Sequence, residues 1–132
     1  MTLGRRLTVA GALAKLPATG GLRFAKLFQH GTLEVEIYAP RGTDPQQPHL
    51  HDEAYVVVEG SGTFLCGKTR EPFGPGDFLF VPAGVEHRFE KFTDDLVVWV
   101  IFYGPEGGEV PATTRAAIRS PSSTSDPTDT PR

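Results

Sequence analysis

Between Pro48 and Gly60 the chain reads PHLHDEAYVVVEG, which sets His49, His51 and Glu53 at every second position just ahead of the apolar run Val56-Val57-Val58. Alternate residues of an extended strand share a face, so the spacing predicts one strand face carrying two imidazoles and a carboxylate. A fourth candidate, His87, follows in GDFLFVPAGVEH. Histidine is scarce here, with four in 132 residues, and the clustering of a scarce residue is the signal. These side chains are those that hold divalent iron, manganese, nickel, copper or zinc. The competing reading is that they are ordinary polar residues on an exposed strand.

The elements that must position them follow from the periodicity. In LTVAGALAKL, Leu7, Ala10, Leu13 and Ala14 recur at helical intervals until Pro17 and Gly20-Gly21 end the pattern, which predicts a short helix ending near Leu16. From Leu22 the period becomes two: LRFAKLF, a turn at His30-Gly31, then TLEVEIYAP, with Leu33, Val35 and Ile37 on one face and Glu34 and Glu36 on the other. A hairpin with one wet face is expected, with His30 a solvated loop residue. APRGTDPQQP reads as a rigid loop, TFLC as a strand, GKTREPFGPG as a turn region, and DFLFVP, HRFEKF and LVVWVIFY as further strands. Many short strands with little helix indicate antiparallel all-β structure. Leu96–Tyr103 is apolar on both faces and should be a strand covered twice, with Trp99 packed there.

At this length one domain is the expectation. It divides into an N-terminal arm at 1–21, a barrel at 22–108, and a tail at 109–132 whose composition predicts disorder. The net charge is -3, and Lys and Arg are scattered rather than gathered in a stripe, so nucleic acid is excluded as an expected partner. Cys66 is the single cysteine; no intrachain disulfide can form, and a cytoplasmic location suits the composition. No stretch approaches the roughly 20 apolar residues that span a bilayer, so no membrane partner is expected.

The residues resemble the cupin superfamily, small double-sheet jelly-roll barrels. Its second motif, G-x5-P-x-G-x2-H-x3-N, is met by Gly76, Pro82, Gly84 and His87, with Lys91 in place of the closing Asn. Its first motif is met in its later half by Glu53 and Gly60, with the second histidine of the motif on His49 and Gln47 where the first would stand. The resemblance covers roughly 22–104. It is nearest to small single-domain cupins with PH-x-x-DE-x-Y and a following FYGPEGGE segment, and it implies a metal on the inner wall of the barrel and often a homodimer. The second motif brings His87 to the same wall as the first and so weighs against the exposed-strand reading.

The expected metal set is therefore His49, His51, Glu53 and His87, with His51 either a ligand replacing the lost first histidine or a group behind the ligands. In a straight strand His49 and Glu53 would stand about 13 Å apart at ~3.3 Å per residue, so both can bind one ion only if the chain bends around His51-Asp52. Gln47 is expected to hydrogen-bond in the loop. Tyr55, on the parity of Glu53, could orient substrate or donate a proton, or simply pack. Phe78, Phe80 and Phe89 are expected in the core first and as cavity lining second, and Arg88 and Lys91 as rim charges. The expected function is a metal-binding cupin that handles a small organic ligand, with dioxygenase chemistry the most specific reaction the donor set suggests. The alternatives are a metal-assisted isomerase or lyase and a non-catalytic ligand-binding or sensor module.

Overall fold

The run VVWVIFY forms the strand on which the larger sheet is built, because both of its faces are apolar and both are covered. The computed structural model describes residues 4–110, and within them this strand, β8 (Val97–Tyr103), pairs antiparallel with β2 (Leu33–Tyr38) on one side and β3 (Asp52–Glu59) on the other. β1 (Phe24–His30) and β6 (Phe78–Val81) complete a five-stranded sheet in the order β1-β2-β8-β3-β6. β4 (Gly62–Cys66), β5 (Thr69–Phe73) and β7 (His87–Glu90) make a three-stranded sheet in the order β5-β4-β7. The fold is the all-β, antiparallel double-sheet jelly roll that the pattern of short strands implied.

Between the sheets Tyr55, Val57, Phe64, Phe73, Val81, Phe89, Leu96, Val98 and Val100 form the core. The opposite face of β8 and β2 is covered by a short helix, α1 (Val9–Leu13), whose Ala12 packs with Ile37, Val97 and Trp99. Thr8 caps this helix, its Oγ1 accepting from the Gly11 N–H at 3.0 Å. α1 is shorter than the sequence periodicity predicts, since the residue preceding Pro17 is disfavoured in the α region and the last turn is loose.

Three other expectations change. Thr69–Phe73 is an edge strand rather than part of a turn; it buries only Phe73, so no apolar alternation marked it, and an edge tolerates Pro72. The hairpin does have an apolar and an acidic face, but the apolar one (Ile37) lies under α1 while Glu36 lines a cavity. The acidic face is thus turned toward the barrel mouth. Lastly, the boundary placed at 109 falls too early, because the Glu109 N–H donates to Asp52 Oδ2 at 2.8 Å. The expected disorder beyond that point concerns residues outside those described, from 111 on. Among the described residues no helix is long and apolar enough to cross a membrane.

Two backbone positions carry the turns between the sheets. Gly60 has φ +94°, and a Cβ there would lie 2.6 Å from Leu96 Cα, so no other residue fits without moving backbone. Lys91, which occupies the place of the motif's asparagine, is the one described non-glycine residue with positive φ, at 48°. The left-handed region costs an L-residue roughly 1–2 kcal/mol, and asparagine tolerates it better. Lys91→Asn should therefore raise stability by about 1 kcal/mol, read as a shift in the denaturation midpoint at unchanged slope; a lower midpoint would show that Lys91 carries a contact worth more than the strain.

Candidate metal centre

His49 precedes β3 and is separated from it by a bend at Leu50-His51. That bend breaks the strict alternation read from the sequence. It folds the chain back so that His49 Nδ1 donates to the backbone oxygen of His51 at 2.8 Å. His49 Nε2 then stands 2.6 Å from Glu53 Oε1, although the two residues would be far apart on a straight strand. Phe102 of β8 meets the His49 ring edge-on, with centroids 4.8 Å apart, and fixes its plane.

His87 reaches the same carboxylate from the other sheet. It opens β7, its Nδ1 donates to Val85 O at 2.9 Å, and its Nε2 lies 3.1 Å from Glu53 Oε1. That last pair is close in distance but misaligned for a hydrogen bond, which leaves His87 Nε2 buried without a partner, and the other carboxylate oxygen, Glu53 Oε2, is buried without one as well. One ligand atom from each of His49, Glu53 and His87 lies within 4.8 Å of the others.

The protons decide what this arrangement fits. A carbonyl oxygen only accepts, so each Nδ1 must carry a proton, and a neutral imidazole then bears its lone pair on Nε2. The His49 lone pair points at a carboxylate, which is also an acceptor, and the His87 lone pair lies close beside the same carboxylate. Three acceptors facing one another are stable only with extra protons or with a cation among them. Backbone carbonyls fixing the far nitrogen of a ligating histidine are also how metal sites orient imidazole. The residues present therefore fit a divalent metal, which His49, Glu53 and His87 would hold.

Without a metal the charges compensate one another. Burial would push the Glu53 carboxyl up, but His49 and His87 outweigh it and hold the group below its ordinary 4.5. Burial would push His87 down, but Glu53 and the Val85 carbonyl outweigh it and hold the ring above its ordinary 6.5.

The other candidates from the sequence are placed as follows. His51 is not in the cluster: its Nδ1 donates to Gly104 O at 3.0 Å, so the bend has turned its ring to the segment after β8. Gln47 lines the cavity beside His49. Tyr55 is fully buried; burial first and the Glu53 charge next push its phenol well up, so it stays protonated and donates to Gln46 Oε1 at 2.8 Å. Of the roles expected for Tyr55, the structure shows packing in the core, with the hydroxyl holding Gln46. Phe89 packs in the core against Tyr55, Phe64 and Phe73. Phe80 is 46 % and Phe78 65 % exposed, against the expectation of core or cavity, because in the register with β3 they pair with Ala54 and Val56 while Leu79 and Val81 take the inward positions. Lys91 is exposed but does not line the cavity beside His49, lying instead with Thr63, Arg70 and Glu90, and Arg88 forms an ion pair with Glu90.

Sequence reading missed a buried network around Asp44. Its Oδ1 accepts from the Tyr38 hydroxyl, and its Oδ2 accepts from Gln46 Nε2 and the Phe89 N–H, both at 2.8 Å. No periodicity marks a loop aspartate, so nothing in the sequence pattern could single it out. Gln46, Gln47, His49 and Glu53 line a cavity of about 550 Å³, which Glu36, Tyr38, Val100 and Phe102 share. Burial, then Glu34 and Glu53, push the Glu36 carboxyl up.

Comparison with known proteins agrees with this fold. The family model described as Cupin domain matches residues 34–103. An uncharacterized protein of Streptomyces coelicolor is 35 % identical over 85 residues, which is 63 % of this chain and 81 % of that one. Among solved structures, a cupin 2 conserved barrel domain protein from Salinispora arenicola superposes with a TM-score of 0.58 at 20 % identity, covering 79 % of this chain and 91 % of that one. A Ralstonia eutropha protein carrying the provisional name mannose-6-phosphate isomerase gives a TM-score of 0.51 at 27 % identity, covering 62 % of this chain and 83 % of that one.

The coupled pair predicts a pH window for the metal-free protein. The Glu53 contribution is fully present above 4.5 and is lost as pH falls through the lowered folded-state value. The His87 contribution is fully present below 6.5 and is lost as pH rises through the raised one. Thermal melts of chelator-treated protein over a pH series should show this pair's stabilisation fully between those two values, and His87→Gln should remove the loss on the alkaline side. A profile unchanged by that substitution would contradict the coupling.

Proposed function

Since this chain belongs to the cupin domain family, we propose that it is a metal-binding cupin in which His49, Glu53 and His87 hold a divalent transition metal whose open positions face a compact organic ligand in the cavity. The observation that carries the reading is the convergence of two Nε2 lone pairs and one carboxylate on a single buried point. Two histidines and a carboxylate with open positions form the facial set used by non-haem iron, so oxygen-dependent conversion of the ligand is the reaction favoured. When bound, the metal supplies Lewis acidity and exchangeable positions for oxygen ligands.

The chain's own residues do the rest. The carbonyls of His51 and Val85 hold each imidazole in the tautomer that presents Nε2. Phe102 and the core below the cluster keep bulk water from Glu53, which has no exposed side-chain surface, while His49 keeps 20 % and so stands on the cavity side. Tyr55 and Asp44 together fix the Gln46 amide on the cavity wall. A cavity of about 550 Å³ falls within the range of small-molecule sites.

Elemental analysis of the purified protein should find a divalent transition ion. His87→Ala should abolish stoichiometric binding, whereas His51→Ala should leave the stoichiometry intact; equal losses in both would return His51 to the ligand set. Oxygen uptake with phenols, diketones and amino-acid derivatives tests the reaction. Turnover without oxygen would favour the isomerase or lyase reading, for which the Ralstonia neighbour's provisional name is the support. Metal with tight ligand binding and no turnover would favour the binding module.

The reading includes a homodimer. α1 covers the β2 and β8 end of the outer sheet face, and the same apolar face runs on uncovered through Val56, Phe78 and Phe80 to β6, where the sheet ends. An apolar face continuous with a free strand edge fits a second copy of itself about a two-fold axis. Light scattering should give a dimer mass, and Phe78→Ser with Phe80→Ser should give a monomer with unchanged metal content; a monomeric parent protein would end this part of the reading.

A further inference from the structure

The cavity that His49 and Glu53 line is also lined by two cations, Arg23 and Arg41. They flank the open end of the β1–β2 hairpin, where Phe24 pairs with Tyr38 and the Ala39 N–H donates to Arg23 O at 2.9 Å. Both guanidinium groups converge on one backbone oxygen. Arg23 Nε donates to Ala39 O at 2.9 Å, and Arg41 Nη1 donates to the same oxygen at 3.2 Å and to Pro40 O at 3.0 Å. Burial, and then the charge of Arg41, lower the Arg23 pKa, as expected of like charges held side by side.

Among the described residues no ion pair offsets that repulsion. Among the described residues the ion pairs involve Lys26, His49, Arg70, His87 and Arg88, and none involves Arg23 or Arg41. The two carboxyls on the cavity wall are Glu53, which stands against the histidines, and Glu36, which forms no ion pair with either arginine. Each guanidinium has five N–H donors; Arg23 commits Nε and Arg41 commits Nη1, so most donors of both forks stay available. Paired forks of this kind match the oxygens of a carboxylate or phosphate. In a chain of net charge -3, two cations gathered at one cavity mouth run against the average.

We propose that Arg23 and Arg41 form an oxyanion clamp, so that the ligand of this cavity is a compact organic acid. Its carboxylate or phosphate-ester group lies on the two guanidiniums, and an uncharged oxygen function is turned to His49, Glu53 and His87. The inference rests on the reading of the cavity as the ligand site, and it narrows the ligand from any small organic molecule to an anionic one.

Calorimetric titration with pyruvate and with inorganic phosphate, at low ionic strength, tests it on metal-loaded and chelator-treated protein. At least one probe should bind, added KCl should weaken it, and R23Q/R41Q should weaken it about tenfold or more at unchanged metal content. R23K/R41K, which keeps both charges, should recover part of the loss. Binding of pyruvate alone identifies carboxylic acids as the source, and binding of phosphate alone identifies phosphate esters; both uphold the clamp. If the double variant fails to fold, R41Q, on an exposed side chain, carries the test together with the salt titration. Absence of binding by either probe, or R23Q/R41Q (or R41Q in its place) binding as the parent does, overturns the clamp. Arginine-dependent binding by a protein that holds no metal would instead sink the metal reading and leave the clamp standing.

Discussion

Two imidazoles, each with its far nitrogen locked to a backbone carbonyl, present lone pairs to one carboxylate that water does not reach. Such an arrangement is costly to build from acceptors alone, and the surrounding structure is what keeps it. β3 contributes Glu53 from the larger sheet, β7 contributes His87 from the smaller, and the bend before β3 brings His49 back over both. The barrel is thus a device for holding three side chains from two sheets and one loop within bonding distance of a common point. Its apolar core between the sheets supplies the rigidity, and the central position of β8 supplies the frame.

The strand content and the sheet-forming segments were legible because they rest on period-two alternation and on turn residues, which are local. β8 was the clearest, since a strand apolar on both faces must be covered on both. The acidic face of the β1–β2 hairpin was legible as a pattern but not as a direction. Alternation tells which residues share a face, and only the docking of α1 on Ile37 and Trp99 decides that Glu36 turns to the cavity. β5 escaped for a related reason: a charged edge strand has little to bury.

The site was legible in its chemistry and less so in its geometry. The residue types at His49, Glu53 and His87 could be read, and the need for a bend between the first two followed from the length of an extended chain. What could not be read was the side to which the bend throws His51, because that depends on the Gly104 carbonyl, more than fifty residues away in sequence. The Asp44 network and the Arg23–Arg41 pair were hidden for the same reason. Their partners are backbone atoms and loop side chains brought together by closure of the barrel, and no local periodicity records them.

Asp52 stands beside Glu53 and uses both of its oxygens on backbone donors, Ala83 N–H in the turn before His87 and Glu109 N–H beyond β8. One carboxylate therefore pins the loop that delivers one imidazole to the segment that follows β8. Tension applied at residue 109 would reach the neighbour of Glu53 through the Asp52 side chain, which makes the segment after β8 a lever on the ligand cradle.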